Sequence, residues 1–131
     1  MQDKDRQALS VARIEHAQEC FSSAKELYAH GEYKSAANRS YYAVFHAMRA
    51  VLAFDDVDMK HLSGIIAEFR RRYIKTGIFD TKYSDIISAL FEIRTDSDYD
   101  DFFVISKEEI ALQIENAGDF LDRIKAYLKA K

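Results

Sequence analysis

Proline and tryptophan are absent, glycine occurs four times and cysteine once in a chain of 131 residues. So little proline and glycine leaves the chain poorly supplied for the turns of a many-stranded β fold or for the linkers of a string of modules. One domain spanning residues 1–131 is expected, and 48% hydrophobic residues suffice for one core in a chain that buries roughly two-thirds of its unfolded surface. The lone Cys20 excludes an intramolecular disulfide and a cysteine-only metal site; it fits a reducing compartment, so a cytoplasmic location is expected. No apolar run approaches the roughly 20 residues a membrane helix needs, and the opening MQDKDRQALS lacks the apolar stretch of a signal peptide, so no membrane partner is expected. Nineteen basic against 22 acidic residues give a net charge of −3, which argues against nucleic-acid coating over the whole surface and leaves room for a local basic patch.

What the sequence does have is helical periodicity, punctuated by its glycines and aspartate clusters. The spacing predicts five helices. The first runs from about Lys4 to Tyr28, with Ile14, Ala17, Phe21, Ala24 and Tyr28 on one stripe, and stops at His30-Gly31. The second begins near Tyr33 and ends before Asp55-Asp56. A third, from Lys60 to Lys75, turns Leu62, Ile65, Ile66, Phe69 and Tyr73 inward. Thr81 is expected to cap a fourth, which carries Tyr83, Ile86, Ile87, Leu90 and Ile93 on one face and dissolves into the acidic run Asp96 to Asp101. Ser106 and Glu109 form the capping box of the fifth, whose Ile110, Ile114, Ala117, Leu121, Ile124 and Leu128 make a packing stripe.

Charge is segregated along the chain. Lys60 to Lys75 holds five basic residues and one acid, and Asp80 to Asp101 holds seven acids and two basic residues. Arg70, Arg71 and Arg72 read first as a solvated helix face and second as a patch facing phosphate.

The second helix is the unusual one. At about 100° per residue His46 falls about 20° from Arg39 on the helical wheel, because seven residues are nearly two turns. Ser35, Tyr42, Ala43, Ala50 and Ala53 lie within about 60° of the same direction, whereas Tyr41, Val44, Phe45, Met48, Val51 and Leu52 occupy the other half. Small residues let a second helix approach closely, either one of this chain or the same helix of a second copy; dimerisation through this face is the expectation. An arginine fork suits phosphate oxygens, and histidine exchanges a proton near neutrality, so the pair suits phosphodiester chemistry. The same two residues would also be found at the edge of an ordinary solvent-facing stripe.

The run from Ala36 through Arg39, Ser40, Tyr41, Tyr42 and His46 to Ala50 resembles the second helix of HEPN domains, the higher eukaryotes and prokaryotes nucleotide-binding family. Lys60, Ser63 and Gly64, then Lys75-Thr76-Gly77, Phe91-Glu92-Ile93-Arg94 and Asp98-Tyr99-Asp100 extend the likeness over nearly the whole chain, closest to the small stand-alone prokaryotic branch. The resemblance implies an all-α, up-and-down four-helix bundle with an additional short helix, homodimeric, from a toxin-antitoxin type system linked to a minimal nucleotidyltransferase. It further implies a metal-independent ribonuclease site, marked by an arginine and a histidine with four to six residues between them. Here these are Arg39 and His46, with Arg39 on the scissile phosphate and His46 in proton transfer to or from the attacking 2′-hydroxyl; no cofactor is implied. Ser40, Tyr42, Arg49, Arg70 and Arg71 are the residues expected to hold the RNA or nucleotide. The alternative is a non-catalytic module that binds a nucleotide or the nucleotidyltransferase. The chain departs from the family at Ser40, where Asn, Asp or His is common, at Lys60-His61-Leu62, where the histidine is displaced by one position, and at Met48, where some toxin members carry a modified tyrosine.

Other chemistry is excluded by spacing. No glutamate precedes a histidine by three residues, so the di-iron carboxylate pattern of four-helix bundles is missing. Asp96, Asp98 and Asp100 imitate the start of a calcium loop, but Asp101 and Lys107 stand where glycine and glutamate are required. No phosphate loop, dinucleotide fingerprint or zinc-finger spacing occurs. Cys20 reads as a small core residue, His16 and His30 as surface or cap residues without partners, and Tyr99 as an anchor of its loop against the bundle.

Overall fold

A computed structural model describes residues 2–131, among which every regular element is helical. The elements are α1 (Asp3–Ala29), α2 (Tyr33–Phe54), α3 (Leu62–Phe69) continued by one π-helical turn (Arg70–Ile74), α4 (Thr81–Tyr99) and α5 (Lys107–Lys129). The four long helices form the bundle and α3 is the short extra one.

The chain turns from α1 into α2 at Gly31, whose φ of 77° is the left-handed conformation that glycine adopts without a Cβ penalty. The Glu32 amide reaches the Leu27 carbonyl at 2.9 Å and the Gly31 amide that of Tyr28 at 3.0 Å, the paired bonds of a Schellman cap. So short a turn makes α1 and α2 antiparallel neighbours. The same device ends α2, where the Val57 amide bonds to Leu52 and that of Asp56 to Ala53, but there the left-handed residue is Asp56, at φ 66°. Ser106 caps α5 as expected, accepting from the Glu109 amide at 3.0 Å.

The core is aromatic on one side. Phe69 and Tyr73 from α3 and its π turn meet Phe79, Tyr83, Phe120 and Tyr127, with ring centroids 5.1–6.3 Å apart. Tyr73 also donates its hydroxyl to Asp55, tying the π turn to the end of α2. Between α1 and α2 the packing is by small residues: Ala17, Ala24, Ala36, Ala43, Ala47 and Ala50 are all 0% exposed.

Five expectations need correction. The small-residue face of α2 is closed by α1 of the same chain, because Ala43, Ala50 and Ala53 are already buried in one copy; it offers no surface for a twin. The third helix starts at Leu62, since Lys60 lies outside any helix and His61 is extended, and its last turn widens so that the Lys75 amide reaches back five residues to Arg70 at 2.9 Å. Asp80, not Thr81, caps α4, accepting from the Lys82 amide at 2.8 Å. The acidic run does not unravel that helix: α4 continues through Tyr99, held by Arg94 pairing with Asp98 one turn on, and the Tyr99 side chain is 82% exposed, not anchored.

Candidate functional site

Residues lying about equally far on either side of the Gly31 turn face one another across the α1–α2 seam, and the polar ones are concentrated there. The Arg39 guanidinium approaches the Cys20 sulfur, Nη1 to Sγ 4.0 Å. His46 stacks on His16 with ring centroids 3.8 Å apart and planes inclined by 21°. Further along, Arg13 donates to the Arg49 carbonyl at 3.2 Å and to the Asp58 carboxylate at 2.8 Å, and Arg49 reaches the same carboxylate at 3.5 Å. The seam thus carries three arginines, two histidines, a thiol and one carboxylate.

Arg39 and His46 share a face, as their spacing predicts, and both are half-buried at the edge of the seam. The Arg39 fork is set by its neighbour Asn38, whose Oδ1 accepts from Nε at 3.1 Å and from Nη2 at 2.7 Å. Its charge lies 5.1 Å from the Tyr42 ring centre, a cation–π distance. Tyr42 and Phe45 in turn flank the His46 ring at 6.1 and 5.2 Å. Two open hollows of about 440 and 550 Å³ border Arg39, one edged by Lys34, Ser97 and Asp98 and the other by Ser23, Glu26 and His30; neither extends to His46.

Electrostatics fix the protonation state of the imidazole. Burial, then the charges of His16, Arg49, Arg39 and Arg13, push His46 down to about 4, so at neutral pH its ring is uncharged and keeps a free lone pair. Burial also raises the Cys20 thiol, against the opposing pull of Arg39. Asp58 is held below the ordinary carboxylate range by its hydrogen bond from Arg13.

The remaining sequence-predicted residues divide. Tyr42 and Arg49 belong to the cluster, although Arg49 is already engaged by Asp58. Ser40 is 0% exposed and donates to the Ala36 carbonyl at 2.9 Å, so its hydroxyl is internal. Arg70 points to α4, where Ser84 and Ser88 accept from it at 2.9 and 2.7 Å, while Arg71 and Arg72 pair with Glu68. Those three arginines therefore form a separate station. His30 caps α1 through Glu26. Sequence reasoning missed His16, Arg13 and Asp58, and it took Cys20 for plain core. The available clue was the three- and four-residue spacing of Arg13, His16 and Cys20, which puts them on one stripe of α1.

The sequence has known relatives. The HEPN domain model matches residues 10–127. A protein of Methanocaldococcus jannaschii named as a candidate toxin is 34% identical over 127 residues, 97% of this chain and 94% of the relative. A second candidate toxin of that organism is 30% identical over 90% of this chain and 80% of its own length. A UPF0332 protein of Thermotoga maritima is 32% identical over 86% of each.

Proposed function

The chain belongs to the HEPN domain family, and on that premise we propose that it is a toxin-like member that cleaves RNA without a metal, through Arg39 and His46. The observation that carries this is the convergence of both side chains on Cys20 at the half-exposed edge of one seam. An uncharged His46 is in the right form to take the proton of a 2′-hydroxyl as it attacks the adjacent phosphorus. Arg39 supplies donors to the phosphate oxygens as negative charge accumulates on them. Tyr42 and Phe45, set between Arg39 and Arg49 along the half-buried strip of α2, offer rings on which unpaired bases stack. The same strip, rather than the alanine face, is where a twofold partner would bring a second Arg39–His46 pair to the cleft.

The test is degradation of a mixed RNA pool in EDTA by the wild type, Arg39→Ala and His46→Ala proteins. Loss in both variants is expected; equal cleavage by all three would assign the activity to another site or to a contaminant. A dimeric mass by light scattering at micromolar concentration is expected, and a monomer would remove the composite cleft.

A second reading, a module that docks a minimal nucleotidyltransferase, is favoured by the α4–α5 connection, where Tyr99, Phe102 and Val104 are 82–89% exposed. It expects a complex with the product of a neighbouring nucleotidyltransferase gene that Phe102→Asp and Val104→Asp weaken.

A further inference from the structure

Cys20, His16 and His46 hold more than the proposed cleavage reaction uses. Their ligating atoms, one sulfur and two ring nitrogens, lie within 4.8 Å of one another. His16 and Cys20 stand one helical turn apart on α1, and His46 reaches them from α2, so the donors come from two helices that the Gly31 cap already holds together. A tetrahedral ion with metal–sulfur bonds of about 2.3 Å and metal–nitrogen bonds of about 2.0 Å needs its donors roughly 3.3–3.6 Å apart. Closing from 4.8 Å requires the exposed His16 ring to turn out of its stack on His46 and the donors to draw together by about an ångström. The depth is graded: the Cys20 side chain is 4% exposed, His46 is half-buried and His16 is open to solvent, which gives an ion an entrance on one side and a closed floor on the other.

We propose that His16, Cys20 and His46 form a binding site for a borderline-soft divalent ion of the zinc class, which by occupying the His46 imidazole excludes the RNA-cleaving state. One thiolate and two imidazoles are the donor set that selects zinc over magnesium or calcium, whose ligands are oxygens. Binding converts the Cys20 thiol to a metal-bound thiolate with release of one proton, which leaves the ion and its thiolate with one net positive charge instead of two beside Arg39, Arg13 and Arg49. The fourth position of the ion is left to water. A ring nitrogen that ligates the ion cannot accept the proton of a 2′-hydroxyl, so metal and reaction exclude each other. The exclusion rests on the ribonuclease reading above; the site itself does not.

The experiment is titration of the purified, reduced protein with zinc, followed by calorimetry and by competition with a chromophoric chelator. One ion per chain is expected, with affinity lowered at least tenfold in each of His16→Gln, Cys20→Ala and His46→Ala. His16 lies on the surface, so its variant keeps the fold even if the buried cysteine variant does not. Cobalt in place of zinc should show a thiolate charge-transfer band that Cys20→Ala lacks, and magnesium should not compete. Affinity unchanged in the His16→Gln and His46→Ala proteins, or a cobalt spectrum without the thiolate band, overturns the site. In the cleavage assay, zinc should suppress the wild type and leave the chelated protein active; cleavage indifferent to bound zinc overturns the exclusion. If the chelated protein shows no cleavage at all, the ribonuclease reading fails, and the binding measurements still decide the site.

Discussion

Two arginine-rich stations lie in this molecule and the bundle treats them differently. Along the π turn, Arg70 is held by serines of α4 and Arg71 and Arg72 by Glu68, so each guanidinium finds its partner inside the protein. At the α1–α2 seam Arg39 is met only by the amide of Asn38 beside it, a sulfur and a ring, with no carboxylate in its contacts, while His46 faces another histidine and three arginines. Three consecutive arginines look the stronger nucleic-acid signal in a linear sequence. On the proposed reading the seam is the better phosphate site, because donors already paired within the protein have less left for a phosphate and Arg39 has no carboxylate among its hydrogen-bond partners.

The largest expected difference between the stations is catalytic. Arg39→Ala or His46→Ala should lower RNA cleavage by roughly 100-fold or more, the scale of losing a charge-stabilising group or a proton-transfer group. Arg71→Ala, at an exposed pair with Glu68, should change it less than about twofold. Single-turnover rates in EDTA make the comparison, and equal losses at both stations would erase it. In stability the order reverses: Arg70→Ala abandons three bonds to α4 and should cost about 1–2 kcal/mol in urea unfolding, whereas Arg39→Ala should cost well under half of that.

A smaller effect tests what aligns the seam. Gly31→Ala forces a Cβ into the left-handed region and should destabilise by about 1 kcal/mol, loosening the register that brings His16 to His46. Asp56→Gly relieves the same conformation at the far end of α2 and should stabilise by about 0.5 kcal/mol. Urea midpoints of the two variants should move in opposite directions.

Much of this was legible before the structure, for reasons that differ by residue. The helices could be read because apolar spacing and caps are local: Gly31 and Ser106 do what their chemistry prescribes. The shared face of Arg39 and His46 follows from the pitch of one helix and needs no tertiary information. His16, Arg13 and Asp58 were missed because their roles exist only across elements, His16 through α2 and Asp58 through two arginines of different helices. The alanine face of α2 shows the limit most sharply. Its small residues correctly signal close helix packing, but a hydrophobic pattern does not distinguish a partner in the same chain from one in a second copy. The π turn has no sequence mark, and the aspartates at the end of α4 look like a breaker from their charge alone, whereas the Arg94–Asp98 pair supports the helix there.

The smallest effect concerns the one carboxylate at the seam. Asp58 is held below its ordinary pKa by the hydrogen bond from Arg13 and then by the charges of Arg13 and Arg49, so the folded state binds its proton less readily than the unfolded chain. The stabilisation is therefore fully present above the ordinary carboxylate value and disappears as acid drives the pH down through the depressed one. The Asp58 side chain is 46% exposed, and solvent screening reduces the pair to about a few tenths of a kcal/mol. Urea midpoints of the wild type and Asp58→Asn should differ slightly at neutral pH and converge as acid drives the pH below the depressed Asp58 value, with molar salt shrinking the neutral-pH difference. A neutral-pH midpoint higher in Asp58→Asn than in the wild type, with the gap closing in acid, would mean that the Asp58 anion destabilises the seam and that its pairing with Arg13 and Arg49 does not offset its desolvation.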